Sequence, residues 1–453
     1  IYDASGGLSE FAMESYFGRI SLSYLDRYIL NMTMRTDGSS RFAPSDRYGY
    51  FPSVSLGWNV SKEPFWKFDR TDLKFRLSYG KTGNQDGIGN YAWQPLMSGG
   101  INYGNNSGMA VTSMGNNTLT WETADQYDFG FDLGFWNGKL NMIADVYLKN
   151  TNNLLYSMPL HGTSGFTSIT NNIGSMRNYG VEFSINGHMN LGKVNWTSSF
   201  NISHNKNKLT KLLGDDLLPI GSNRALKVGE ELGAFYLFQM DGIYQYDGEV
   251  PQPLYDLGVR AGDVKYHDVD NNGIINDSDR VLTGSSNPDF FGGWNNTFKY
   301  KGFQLDVFFT YMYGNDVYAE WAVTATRPGY RMAITEDAAK NRWTAPGSSN
   351  KYPRAVNTLC GHNSKNSTRF LEDGSFIRLR SLTFSYTFPQ VMLQKIRMKG
   401  LRLHVQGDNL LLFSKYSGWD PEVSKNMDPQ YFGVDLYGVP PSRSVNFGIN
   451  LSF

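Results

Sequence analysis

The chain alternates apolar and polar residues over runs of roughly ten positions, the length that a tilted strand needs to cross a bilayer. The last run, 445–453, places Val, Phe, Ile, Leu and Phe on one face of a strand and Asn, Gly, Asn and Ser on the other. Similar runs cover 139–148, 181–190 and 303–313. This pattern is typical of a strand with lipid on one side and a wet lumen on the other.

Short turns and long connections alternate between the runs. The short turns lie at 26–27, 62–71, 137–138, 192–193, 301–302 and 389–400. The long connections, rich in Gly, Asn, Ser, Asp and Tyr, lie at 37–49, 83–120, 150–176, 208–288, 314–373 and 414–442. Outer-membrane barrels have short periplasmic turns and long extracellular loops, so this asymmetry assigns the two sides.

These elements predict an all-β fold, an antiparallel transmembrane β-barrel with long extracellular loops. The six short turns make six hairpins and the last run adds one strand, so about 13 spanning strands are expected. Bacterial single-chain barrels contain an even number of strands and leave no open edge in lipid. We therefore expect 1–453 to be the C-terminal part of a larger barrel. The strand-like segment 229–246 would break the count, and we place it in the extracellular loop 208–288 as non-spanning structure.

Composition narrows the possible functions. The 42 basic and 42 acidic residues give zero net charge, which supplies no argument for nucleic-acid binding. Aromatic residues make up 15% of the chain, which suits girdles at membrane interfaces and would also suit a glycan-binding protein. No apolar run approaches about 18 residues, which excludes a helical membrane protein. The single cysteine, Cys360, excludes a disulfide scaffold.

The segment 268–279 matches the spacing of a calcium-binding loop, with a glycine at the sharp turn. The candidate ligands are Asp268, Asp270, Asn272, Ile274 through its backbone carbonyl, and Asp279. We expect a structural calcium ion, with magnesium as an alternative, in the long extracellular loop. The final Asp replaces the Glu of an EF-hand, which leaves affinity and metal identity open. A turn rich in Asn, Asp and Gly without an ion is the competing interpretation.

The sequence contains no recognisable catalytic constellation. Its six histidines show no metal-pair spacing, and the motifs of serine hydrolases, P-loops and dinucleotide-binding folds are absent. Acidic pairs such as Asp215-Asp216 are more typical of a solvated loop than of an acid/base dyad. We therefore expect that the protein is not an enzyme.

Several longer motifs are distinctive in combination. They lie at 35–42 (RTDGSSRF), 51–58 (FPSVSLGW), 77–85, 178–183, 262–266, 373–380, 407–410 and 416–422. With these motifs the chain resembles, over nearly its whole length, the SusC/RagA branch of TonB-dependent outer-membrane transporters from Bacteroidetes. The resemblance implies a barrel of about 22 strands around an N-terminal plug domain that is not present in this sequence.

The resemblance also implies a function, the active import of a large nutrient by a multi-pass protein in the lipid of the cell outer membrane. The usual cargo is an oligosaccharide, with peptides as the main exception. The implied partners are a SusD/RagB-like surface lipoprotein that acts as a lid and the TonB-ExbB-ExbD complex that supplies energy. Two alternatives stay open: a siderophore or cobalamin receptor of the same architecture, and a secreted all-β calcium-binding module that binds glycans.

Aromatic side chains in the long loops are the candidate cargo contacts, because rings stack on sugar faces. The substrate-binding candidates are Tyr91, Trp93, Tyr103, Trp321, Tyr330 and Trp343, and the same loops also carry Tyr416 and Trp419. For any one of these residues, packing between loops or against the lipoprotein is an equally good explanation.

Overall fold

The structure is a computed structural model that describes residues 6–104, 106–214, 217–329, 332–356, 361–394, 397–427 and 431–453. Within these ranges β-strands and loops dominate, as the sequence predicted. No described helix is long and apolar enough to cross a membrane. By their contacts the residues divide into two compact units, 1–186 with 205–216, and 187–204 with 217–453.

The strands up to residue 212 are β1 (Met13–Tyr24), β2 (Tyr28–Ser39), β3 (Tyr48–Asn59), β4 (Thr71–Asn84), β5 (Leu96–Gly99), β6 (Met109–Ser113), β7 (Glu122–Phe135), β8 (Leu140–Pro159), β9 (Ser168–Leu191) and β10 (Val194–Leu212). The following strands are β11 (Leu217–Ile220), β12 (Arg224–Lys227), β13 (Ala234–Phe238), β14 (Met240–Ile243), β15 (Val264–Tyr266), β16 (Arg280–Ser285), β17 (Phe290–Tyr300), β18 (Phe303–Tyr313), β19 (Asp316–Ala319), β20 (Leu371–Asp373), β21 (Phe376–Thr387), β22 (Gly400–Ser414), β23 (Val434–Asp435) and β24 (Ser444–Ser452). The short α-helices are α1 (Gln252–Asp256), α2 (Ala322–Ala325), α3 (Glu336–Lys340) and α4 (Gln390–Gln394).

Within the described ranges, thirteen strands form one sheet in the order β1-β2-β3-β4-β7-β8-β9-β10-β17-β18-β21-β22-β24. The pairings from β1 to β8 and from β10 to β24 are antiparallel. The predicted strand number is therefore confirmed. We call the strand ends joined by the short connections the turn side of the sheet, and the opposite ends the loop side.

In the first unit the sheet has an apolar face and a polar face. Leu56, Leu77, Phe129 and Val146 are cross-strand neighbours on β3, β4, β7 and β8, and all four side chains are about half exposed. The alternate positions carry polar groups such as Arg76, whose guanidinium lies among carboxylates. The predicted period-two alternation thus produces two chemically distinct surfaces.

A small apolar core closes the loop side of the first unit. Its buried members are Phe42, Phe51, Ile88, Leu119 and Trp121. The Phe51 ring packs against two glycines where a larger residue would clash. A Cβ at Gly49 would lie 2.4 Å from the ring, and one at Gly83 would lie 2.2 Å from it. The indole N–H of Trp121 donates to the Arg47 carbonyl at 3.0 Å, which fixes the base of the connection between β4 and β7.

Beyond this core, β5 and β6 form a separate two-stranded arm. The amide of Asn116 donates to the Ala92 carbonyl at 3.0 Å and closes the base of the arm. Among the described residues, β5 and β6 form a sheet of two strands. The tip is open to solvent, with Tyr103 89% exposed and Met109 68% exposed.

One predicted connection is much shorter than expected. The sequence placed a long loop at 150–176, but β8 continues to Pro159 and β9 begins at Ser168. Side-chain amides hold this polar extension, because Asn172 accepts from the Thr120 amide and donates to the Thr120 carbonyl. The strands continue although apolar and polar residues no longer alternate regularly along them.

In the second unit the long connections fold into their own small sheets. The described strands pair in the orders β11-β12-β13-β16, β14-β15 and β20-β19-β23. The segment 229–246 carries β13 and β14 and lies outside the thirteen-stranded sheet, as predicted. Two apolar cores support these sheets, one around Phe235 and Tyr318, and one around Tyr244 and Tyr266.

Candidate functional site

The predicted metal loop, 268–279, joins β15 to β16. Asp268, Asp270 and Asp279 each present a carboxylate oxygen, and these oxygens all lie within 4.8 Å of one another. Left-handed backbone at Asn271 (φ 57°) and Gly273 (φ 77°) makes the sharp reversal that brings them together. The loop therefore folds as its spacing predicts.

Hydrogen bonds from the backbone hold these carboxylates in place. Asp268 accepts from the amide of Gly273 at 2.7 Å, and the fully buried Asp279 accepts from the amides of Val269 and Asn276 at 2.9 and 2.8 Å. Partial desolvation raises the pKa of Asp268, but the hydrogen bonds from the Gly273 amide and its neighbours outweigh it and lower the pKa. The charged carboxylate is thus available near neutral pH.

The Asn272 side chain is held within the loop. Its oxygen accepts from the Ile274 amide at 2.7 Å, and its nitrogen donates to Asp270 at 2.9 Å. Ile275 is buried in the adjacent core and anchors the loop. An oxygen-only donor set of this kind fits Ca²⁺ or Mg²⁺.

The predicted cargo-binding aromatic residues differ in their exposure to solvent. Tyr103 is 89% exposed at the tip of the β5–β6 arm, whereas Tyr91 and Trp93 are half-buried in the same connection. The Tyr91 hydroxyl accepts from the Glu10 amide at 3.1 Å. Tyr330 lies outside the described residues.

Trp321 and Trp343 take part in the packing of the long connections. The indole N–H of Trp321 donates to the Tyr416 hydroxyl at 3.1 Å, and that hydroxyl donates to Asp435 at 2.6 Å. Burial and then the Asp435 carboxylate raise the pKa of Tyr416. The indole N–H of Trp343 donates to Gln245 at 3.1 Å. These contacts give both tryptophans a structural role, while Trp419, elsewhere in these loops, is 80% exposed.

Charged residues that the sequence analysis did not select line the polar face of the first unit. Arg76 contacts Asp132 at 3.0 Å and Asp145 at 2.8 Å across three strands. A cavity of about 580 Å³ opens beside this cluster, and Asp128 and Glu182 also line it. Such a wall offers carboxylates and hydrogen-bond donors to a polar ligand. Alternating charges on β4, β7 and β8 were the available sequence signal.

A second cavity of about 390 Å³ lies on the polar face in the second unit, with Asn201, Thr310, Arg380 and Glu422 among its lining residues. Arg380 makes a two-pronged contact with Glu422, both oxygens at 2.9 Å. Beside it, the nearly buried pair of Arg378 and Asp420 meets at 2.6 Å. We call these four charged residues, 378, 380, 420 and 422, the charge clamp. The clamp fastens the connection 415–443 to β21.

Comparison with known proteins gives consistent results. Residues 5–410 match the family described as TonB dependent receptor-like, beta-barrel. The TonB-dependent receptor P3 of Formosa agariphila is 34% identical over 99% of this chain and 46% of its own length. The TonB-dependent receptor SusC of Bacteroides thetaiotaomicron is 31% identical over 97% of this chain and 43% of its own length. The chain thus spans less than half the length of these curated relatives.

A solved structure shows the same arrangement of strands. The structure described as the RagAB peptide transporter superposes with a TM-score of 0.85 at 27% identity, over 98% of this chain and 48% of that chain. The same importer in an "open-open" state gives a TM-score of 0.83. These relatives are receptors and transporters rather than enzymes.

Proposed function

Because the chain belongs to the TonB-dependent receptor-like β-barrel family, we propose that the complete protein imports a large nutrient across the outer membrane. The observation that supports this function best is the two-faced sheet. Its exposed apolar face suits lipid, and its polar face carries two cavities lined by charged and amide side chains. Membership of this family also argues against the secreted calcium-binding module.

The proposed cargo is an oligosaccharide or a peptide. Carboxylates, guanidinium groups and amides on the polar face can bind sugar hydroxyls or peptide groups. The RagAB structure is described as a peptide transporter, and this supports the peptide alternative. The charged cavity around Arg76 and Asp145 suits peptides that carry their own charges.

The proposed partners are a SusD/RagB-like surface lipoprotein and the TonB-ExbB-ExbD complex. Support comes from the similarity to SusC and to the RagAB importer. The solvent-open loop side, with exposed residues such as Tyr103 and Trp419, would face the lipoprotein. TonB would act through a part of the protein outside this sequence.

The importer proposal is tested by purifying the protein from detergent-solubilised outer membrane and identifying what accompanies it. We expect a stoichiometric surface lipoprotein and a trapped glycan or peptide. Uptake of that compound is then measured in cells with and without the gene and with and without TonB. Uptake that is equal in all these strains would overturn the proposal, and a trapped siderophore would favour the alternative receptor.

We also propose that the loop 268–279 binds a structural calcium ion. The support is the oxygen-only donor set, with three carboxylates within 4.8 Å. Asp268→Ala with Asp270→Ala is expected to abolish calcium binding in calorimetry and to speed proteolysis of the connection 213–289. The matched control is Asp277→Asn, in the same loop but paired on the surface with Arg280 at 3.1 Å. Proteolysis that is unaffected by a chelator would contradict the structural ion.

A further inference from the structure

The apolar face of the first unit is not flat. A groove of about 560 Å³ lies on it near the turn side, with Leu22, Leu56 and Phe129 among its walls. These side chains come from β1, β3 and β7 and are each about half exposed. Its walls come from the adjacent strands β1, β2, β3, β4 and β7 and are almost entirely apolar, so the groove suits an acyl chain.

A buried carboxylate organises one end of this groove. Glu63 is 8% exposed and accepts hydrogen bonds from the Tyr28 hydroxyl at 2.6 Å and the Trp58 indole at 3.0 Å. Because both aromatic side chains are tied by their polar atoms to Glu63, their rings are held in fixed positions against the groove. Tyr and Trp in this arrangement are typical of the boundary between acyl chains and headgroups.

Opposite charges lie just beyond the aromatic rings, on the turns that follow β1 and β3. The Arg27 guanidinium lies 3.5 Å from Glu63, and its side chain is 28% exposed. The Lys62 ammonium lies 3.7 Å from Asp26, and both side chains are more than half exposed. The two turns next to Tyr28 and Trp58 therefore carry two cations, of which Lys62 is paired with an exposed carboxylate.

We propose that this groove binds a phospholipid whose headgroup carries both a phosphate and a primary ammonium group. The acyl chain lies along the apolar walls, the phosphate lies between Arg27 and Lys62, and the ammonium group contacts Asp26. The inference rests on the membrane placement of the apolar face that the proposed function requires. A solely anionic headgroup would leave Asp26 facing like charge, so the paired charges favour the zwitterionic lipid.

The test is native mass spectrometry of the delipidated protein titrated with phosphatidylethanolamine, phosphatidylcholine or phosphatidylglycerol. Phosphatidylethanolamine is expected to bind most tightly. Lys62→Gln, which leaves the contacts of Glu63 intact, should weaken it about fivefold, and adding Arg27→Gln should weaken it about fivefold again. Asp26→Asn should remove the preference over phosphatidylcholine, because a quaternary ammonium group cannot donate a hydrogen bond.

The matched control is Lys193→Gln, in the turn between β9 and β10, which is expected to leave lipid binding unchanged. Equal binding of all three lipids, or variants that bind phosphatidylethanolamine as well as the parent does, would overturn the inference. Nutrient uptake measured in the same variants separates the two proposals. Normal uptake without lipid selectivity would remove the lipid site and leave the import function standing.

Discussion

The charge clamp gives a quantitative prediction about the connection 415–443. The side chains of Arg378 and Asp420 are only 3% and 4% exposed, and their charged atoms meet at 2.6 Å. Asp420→Ala leaves the guanidinium buried with only the more distant Glu422, at 3.5 Å. Leaving a buried charge uncompensated costs about 3–5 kcal/mol. We expect a loss of this size in the local stability of the connection.

The neighbouring contact supplies the matched comparison. Glu422 is 34% exposed and meets Arg380 through two oxygens at 2.9 Å. A partly exposed pair contributes no more than about 1 kcal/mol, so Glu422→Ala is expected to be mild. The difference of about 3 kcal/mol corresponds to roughly a hundredfold difference in the equilibrium for opening the connection.

The assay is amide hydrogen exchange of the connection in detergent or nanodiscs, since exchange reports local opening free energies. Asp420→Ala should raise the exchange rates of protected amides there by about a hundredfold more than Glu422→Ala. Arg378→Met with Asp420→Leu should restore much of the protection, because apolar pairs often replace buried ion pairs without loss. Equal exchange rates in the two single variants would refute the conclusion that the buried pair, Arg378 and Asp420, contributes most of the stability of the connection.

Three further predictions follow from packing and burial. Gly83→Ala would place a Cβ 2.2 Å from the Phe51 ring and should lower the free energy of unfolding, measured by urea titration, by about 1–3 kcal/mol. The control is Gly80→Ala, whose Cβ would lie 3.6 Å from its nearest atom and should leave the stability unchanged. Burial lowers the pKa of Arg224 to about 10, yet its guanidinium donates to the Phe432 carbonyl and the Ser286 hydroxyl, so Arg224→Met should reduce the exchange protection of its connection. Burial also lowers the pKa of His362 below its ordinary value of 6.5, so the neutral ring stabilises the folded connection above this pH and the stabilisation is lost as the pH falls below it. Hydrogen exchange of the connection should therefore be less protected at pH 5 than at pH 7, and His362→Gln should remove this pH dependence.

The spanning part of the fold was predictable because lipid and a wet lumen impose a strict period of two. Phe129 and Val146, for example, follow from alternation alone, and their pairing across β7 and β8 follows from the short turn at 137–138. The same rule fails at 150–176, where apolar and polar residues no longer alternate regularly. There the backbone pairing of β8 and β9 continues without a hydrophobic signal.

The loops were less predictable, because their side chains interact with partners that are distant in sequence. Trp321 contacts Tyr416, and Arg378 contacts Asp420, over separations of 95 and 42 residues. Nothing in either local sequence distinguishes an aromatic ring that fills a core from one that binds cargo. The loop 268–279 is the exception, since Asp268, Asp270 and Asp279 lie within twelve residues and the turn between them brings their carboxylates together.

The two-stranded arm formed by β5 and β6 has a practical consequence. Its two strands pair with each other, and a backbone hydrogen bond between Asn116 and Ala92 closes its base. The arm can therefore accept an inserted sequence. An epitope tag or a fluorophore inserted near Tyr103, 89% exposed at the tip, would label the protein on living cells without disturbing the sheet that carries it.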